Sequence, residues 1–206
     1  MPDVLMLNAS PRRTSVGYRL ADEMARHLAA GDSAGTVIYR DLVTEPLPAI
    51  NVDYATALTR RTPADDRVFI QSERLIEEIE NAQVLVLATP MHNFTVPAAL
   101  KLWIDYVVRI GRTFEARPDG KVGLLADRPV YAVVSSGGFH HGPEARQPDF
   151  LTDYLSHVLA TIGLADSHFV YLQGLALGSE AAAVAYDNAR RDLTGHPSFA
   201  GWAETL

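Results

Sequence analysis

The chain has no cysteine among its 206 residues, which excludes a disulfide framework and any metal site built on thiolates. It also has no run approaching the roughly 18 apolar residues of a membrane span. The opening "MPDVLMLNASPRR" lacks the basic-then-apolar order of a secretory leader, so the cytoplasm is the expected compartment and no membrane partner is expected. Basic charge is scarce: 18 Lys and Arg stand against 25 Asp and Glu, a net charge of -7. Nucleic-acid binding needs a basic footprint, so no nucleic-acid partner is expected. G-x-G-x-x-G, G-x-x-x-x-G-K-[ST] and H-E-x-x-H are all missing, which removes the dinucleotide fingerprint, the nucleoside triphosphate loop and the zinc protease helix. His140 and His141 are adjacent on a turn and make no ligand set, so no metal is expected.

What is present is a chain of 48% apolar residues with no repeat, sized for one domain over residues 1–206. Strand-like runs ("DVLMLNAS", "GTVIYRDL", "QVLVLAT", "VYAVVSS", "HFVYLQG") alternate with helical patterns: Val16 to Leu28, a segment with Phe69, Ile76 and Ile79 on one face, one beginning near Thr95, Pro148 to Thr161, and Ser179 to Leu193. Several strands are apolar throughout, as when both faces of a sheet are covered. The reading is α/β, a three-layer sandwich on a parallel sheet, whose strand order the element count leaves open. "TEPLPAINVDYATALTRRTPADD" and "FEARPDGKVGLLADRP" read as connections. Lys101, Asp105 and Arg109 form a charged stripe at i,i+4 spacing on the third helix, with Trp103 beside its buried face. From about residue 195 a C-terminal extension carries Phe199 and Trp202, to be packed on the body or on a partner.

Ligands of parallel sheets collect beyond the carboxyl ends of the strands. After the first strand come Ser10, Arg12, Arg13, Thr14 and Ser15, hydroxyls and cations at a helix start whose backbone N–H groups at Ser15, Val16 and Gly17 suit a phosphate. The same residues also serve as an ordinary helix cap and solvated surface. After the third strand come Pro90, Met91, His92, Asn93 and Phe94: a residue that delays helix formation, an amide with donor and acceptor, and adaptable apolar surface for the edge of a planar heteroaromatic ring. After the fourth come Ser135, Ser136, Gly137, Gly138 and Phe139, where paired glycines permit close backbone approach. A phosphate grip beside a flat, polar-edged ring site matches the shape of flavin mononucleotide.

"PMHNFTVPAALKLWID" resembles the P-M-[YF]-N-F-x-x-P-x-x-L-K-x-W-[IF]-D stretch of the FMN-dependent NADH-azoreductase family, within the flavodoxin-like NAD(P)H:quinone oxidoreductases. The similarity runs on through "RIGRTF", "SSGGFHHGP" and "YLSHVLATIGLADSHFVYLQG", nearly the whole chain. The resemblance implies a flavodoxin-like sheet of five parallel strands in order 2-1-3-4-5 and one noncovalent FMN per subunit. It also implies a homodimer with active sites at its interface and two-step transfer of a hydride from NADH or NADPH to a quinone or azo acceptor. By position, Ser10, Ser15, Val16 and Gly17 correspond to the phosphate loop, with Arg12 available to help. Pro90, Met91, His92, Asn93 and Phe94 correspond to the isoalloxazine loop, and Ser135, Gly137, Gly138 and Phe139 to the far edge of the ring. No side chain is assigned as catalytic; His92, where relatives carry tyrosine or phenylalanine, is the candidate wall for the second substrate. Gly17 replaces a common serine and Thr161 a phenylalanine near the substrate, and Ala116 and Arg117 depart from the pattern after Phe114. An electron carrier of flavodoxin type, a specialised nitroaromatic reductase or a biosynthetic quinone reductase would share much of this pattern.

Overall fold

The computed structural model describes residues 3–12, 14–30, 35–60 and 62–202. The unbroken apolar runs form the sheet: β1 (Val4–Asn8), β2 (Val37–Asp41), β3 (Val84–Pro90), β6 (Val130–Ser135) and β7 (Ser167–Leu172). They lie in the order β2-β1-β3-β6-β7, all parallel, which is the expected 2-1-3-4-5 once a separate hairpin is set aside. Alternate residues of one strand serve two cores. Leu5 and Leu7 join Ile76, Leu100 and Leu155 on one face, while Val4 and Met6 join Leu20, Met24 and Tyr186 on the other. Each fully buried aliphatic side chain contributes about 1.5 to 3 kcal/mol, so a strand apolar at every position gains on both sides.

Helices α1 (Val16–Ala29) and α6 (Ser179–Thr194) cover one face, and α3 (Ile70–Asn81), α4 (Ala98–Val107) and α5 (Thr152–Ile162) the other. Two of these start later than expected. Pro97, at the N-cap of α4, is extended with ψ 155°, so the helix begins at Ala98 and not at Thr95. The segment from Pro148 is held as a turn by Asp149, whose carboxylate accepts the N–H groups of Leu151 and Thr152, and α5 begins at Thr152.

Both expected connections contain regular structure. Helix α2 (Val52–Thr59) is capped by Asn51, whose Oδ1 accepts from Tyr54 N at 2.9 Å. It buries only Tyr54 and Ala57, too short an apolar face to stand out in the sequence. The second connection holds an antiparallel hairpin, β4 (Phe114–Arg117) and β5 (Gly120–Gly123). The charged stripe on α4 is also shorter than expected: Lys101 pairs with Asp105, but Arg109 lies beyond the helix end, is buried, and bonds Ser72 and Glu73. Trp103 is 2% exposed inside the core. The C-terminal extension packs on its own body, with Phe199 and Trp202 buried and stacked near His27.

Candidate functional site

The site grows from the carboxyl end of β1. Asn8, buried at the last position of that strand, accepts from Ser10 N at 2.9 Å and donates to Ser10 O at 3.2 Å, which fixes the first turn of the loop. Ser10 Oγ then lies 3.1 Å from Ser15 Oγ, and Ser15 caps α1 by accepting from Tyr18 N at 3.1 Å. The N–H of Ser15 is itself taken up by Arg12 O at 3.0 Å, so the sequence expectation that it would be an open donor fails. Val16 and Gly17 retain the first-turn N–H groups that a helix leaves without intrahelical partners. Arg12 is exposed, and its guanidinium has no carboxylate partner among the described residues. Arg13 lies outside the described residues. Two hydroxyls, a cation and a helix N-terminus make a donor set suited to a phosphate.

The loop after β3 is a tight turn. His92 N donates to Thr95 O at 2.9 Å and Thr95 N to His92 O at 3.1 Å, with Asn93 and Phe94 at φ 48° and 72°. Left-handed backbone at two central residues is the signature of a type I′ turn, which usually takes Asn and Gly. Asn93 fits at little cost; Phe94 holds a conformation unfavourable to a side chain by about 1 to 2 kcal/mol. Phe94 O in turn accepts Phe150 N at 3.0 Å, and Met91 N donates to Ser135 O at 2.8 Å, so the neighbouring loop holds the turn in place. The N–H groups of Asn93 and Phe94 donate to no acceptor among the described residues.

The loop after β6 is stitched to the end of β7. Ser136 N donates to Leu172 O at 2.8 Å, Gly174 N to Gly138 O and Ala176 N to Gly137 O at 3.2 Å each. These bonds use the carbonyls of Gly137 and Gly138 and leave both N–H groups without an acceptor among the described residues. A Cβ at Gly17 would stand 3.2 Å from Ser135, so the glycine lets α1 approach the end of β6.

Between these loops lies a cavity of about 290 Å³ lined by Ser10, Arg12 and Ser15 of the first loop, Pro90, Met91 and His92 of the second, and Ser135 and Gly137 of the third. Ligand pockets run from about 300 to 1,000 Å³, so this one sits at the small end. Val16, Gly17, Asn93, Phe94, Gly138 and Phe139 stand beside it without lining it. The Phe139 ring instead closes on Gly174. Larger cavities, of about 550, 330, 670 and 360 Å³, lie elsewhere. The first borders Arg109 and Arg112, both of which carboxylates of Glu73 and Glu80 already neutralise.

Several residues that hold the site together escaped the sequence reading. Asn8 looked like the last residue of a strand. Gln147 bridges loops through Nε2 to Met91 Sδ at 3.4 Å, and Gln173 Oε1 accepts from His140 N and His141 N at 2.7 and 2.8 Å. Leu175 and Ala176 bring a fourth strand end to the cavity. Gln173 did carry a signal, a polar residue directly after an apolar strand and before Gly174. His140 is buried rather than placed on a free turn, with Nδ1 2.9 Å from Asp149 Oδ2, while the ring of His141 stacks on Tyr171. Burial alone would raise the Asp149 carboxyl. Hydrogen bonds from Thr152, His140 and Leu151 outweigh it and hold the group below the ordinary carboxylate range. Thr161 lies on α5, where its hydroxyl bonds back to His157 O.

A five-stranded parallel sheet in this order, with a cavity at the strand ends beside a helix N-terminus, defines a flavodoxin-like α/β protein. A family model described as flavodoxin-like fold matches residues 2–196. The chain is 55% identical over 200 residues to FMN-dependent NADH:quinone oxidoreductase 4 of Pseudomonas fluorescens, covering 97% of each chain. It is 52% identical over 177 residues to FMN-dependent NADH:quinone oxidoreductase 5 of Burkholderia lata, covering 85% of this chain and 87% of that one. The crystal structure of an azoreductase from Bacillus anthracis superposes with a TM-score of 0.78 at 24% identity, over 95% of this chain and 100% of the other, a likeness of fold. The chain belongs to the FMN-dependent NADH:quinone oxidoreductase family.

Proposed function

We propose that this chain binds FMN in the cavity at the strand ends and uses it to carry a hydride from NADH or NADPH to a quinone or azo compound. The observation that carries the reading is one cavity that brings two chemistries together. Hydroxyls and Arg12 line it beside the α1 N-terminus, Met91 and His92 line it as well, and its loops carry four backbone N–H groups without acceptors among the described residues. The names of the relatives support the choice of cofactor, donor and acceptor. When bound, FMN supplies the two-electron redox chemistry that no side chain here can perform.

The chain's own residues bind, orient and exclude water. Ser10, Arg12 and Ser15 hold the phosphate, with the N–H groups of Val16 and Gly17 behind them. The N–H groups of Asn93, Phe94, Gly137 and Gly138 meet the polar edges of the ring, where fixed donors favour negative charge more than mobile water does. Holding Asn93 and Phe94 at positive φ keeps those donors aimed before any ligand arrives. His92, exposed and lining the cavity, faces the second substrate and can donate or accept a hydrogen bond.

A cytoplasmic homodimer is part of the same reading. The need for a nicotinamide donor supports the compartment. Val52, Ile70 and Ile110, exposed by 79%, 66% and 51% on segments around the 550 Å³ cavity, support a second copy. No described helix is long and apolar enough to cross a membrane. Anaerobic mixing of FMN-loaded protein with NADH should bleach the long-wavelength flavin band before an acceptor is added, and the colour should return on addition of a quinone. Flavin that stays oxidised would overturn the reading.

A further inference from the structure

Phe150, in the turn before α5, is a large aromatic residue that is 61% exposed. A single exposed apolar side chain is normal on a protein surface. Here the backbone on either side is anchored. The Asp149 carboxylate bonds His140, Leu151 and Thr152, and Leu151 is fully buried at 0% exposure. Phe150 N–H itself donates to Phe94 O at 3.0 Å, which ties the residue to the turn beside the cavity. Phe94 is exposed as well, at 44%. Two chain segments joined by that backbone bond therefore present two exposed aromatic residues next to the loop that lines the cavity through His92.

We propose that Phe150 is a specificity-determining residue for the oxidising substrate: with Phe94 it walls the mouth of the site against a planar aromatic acceptor. The inference rests on the reductase reading above and adds to it the wall on which the acceptor lies. A held aromatic ring offers broad apolar contact at little entropic cost, and stacking prefers flat partners to small or nonaromatic ones. The anchoring through Asp149 and His140 explains how a loop residue can select for shape.

The test uses anthraquinone-2-sulfonate as the probe, with equilibrium dialysis against oxidised, FMN-loaded protein in the absence of NADH. Phe150→Ala should raise the dissociation constant about tenfold, and Phe150→Tyr should stay within about twofold of native. FMN affinity, the rate of flavin reduction by NADH and the mass from light scattering should not change in either variant. Dye affinity within twofold of native in Phe150→Ala would overturn the proposal. So would a fall in mass, which would assign the ring to a contact between copies, or a parallel loss of FMN affinity, which would assign it to cofactor holding. Native protein that binds the dye through Phe150 but is not reduced by NADH would reject the reductase reading and with it the acceptor role, leaving an aromatic-binding wall.

Discussion

Ser15 serves two ends at once, because its Oγ caps α1 and also stands 3.1 Å from Ser10 Oγ at the mouth of the phosphate grip. Ser15→Ala should therefore lower both stability, by about 0.5 to 2 kcal/mol for a lost cap, and FMN affinity. Arg12 is exposed, and its side chain has no carboxylate partner among the described residues. Arg12→Ala should weaken FMN binding by about 1.5 to 3 kcal/mol, roughly 10- to 100-fold, and leave the melting temperature unchanged. Fluorescence titration of apoprotein with FMN, paired with thermal melts, separates the two effects. Unchanged affinity in both variants would move the phosphate elsewhere. Asp149 links residue chemistry to pH. Its folded carboxyl lies below the ordinary range, so the stability it contributes is complete above about pH 4 and is lost as pH falls through that lowered value. Asp149→Asn keeps an acceptor for the helix start and loses the partner of His140. It should melt earlier than native protein at pH 7, with the difference closing as pH falls from about 4 through the lowered folded pKa of Asp149. A gap that stays constant as pH falls through that range would show that the charge of Asp149 contributes nothing.

Among the elements, the β4–β5 hairpin shows how an unremarked segment can be locked to the body. A Cβ added at Gly123 would fall 2.2 Å from Gly163 N and 2.6 Å from Ile162 C, backbone atoms at the end of α5. Gly163 has φ 107°, so it has no freedom to yield without giving up the helix stop. Gly123→Ala should destabilise the protein by more than about 2 kcal/mol, a loss on the scale of a damaged core, although β5 is largely at the surface. Denaturant melts would measure this, and a midpoint equal to native would refute the contact. The hairpin and α2 share a reason for having been read as connections. β4 is exposed at Glu115, Ala116 and Arg117, and α2 buries only two residues, so neither carries enough apolar periodicity to mark it.

In the molecule as a whole, the proposed homodimer has to rest on different residues from those the sequence suggested. Trp103, Phe199 and Trp202 are 2%, 0% and 4% exposed within one chain and leave no aromatic surface for a partner. The exposed Val52, Ile70 and Ile110 are the candidates that remain for the proposed contact. Light scattering at micromolar concentrations should report about twice the 22.5 kDa mass of one chain, and a constant 22.5 kDa would overturn the dimer. The parallel sheet was legible from residues alone, because apolar runs such as Val84 to Ala88 record burial on both faces locally, and its strand order followed from the family resemblance. The loops of the site were legible too, since Pro90, the Gly137–Gly138 pair and the hydroxyls near Ser15 restrict or release the backbone wherever they occur. What only the tertiary structure decided depends on segments distant in sequence. Arg109 left the α4 stripe for Glu73, and Phe150 reached the carbonyl of Phe94. Phe199 of the tail met Tyr131 of the sheet, with the two rings 5.1 Å apart. A residue's own type states what it can bond to. Which partner it meets is set by the packing of the whole sheet, because a buried polar group or large ring takes the best site within reach after the layers have closed.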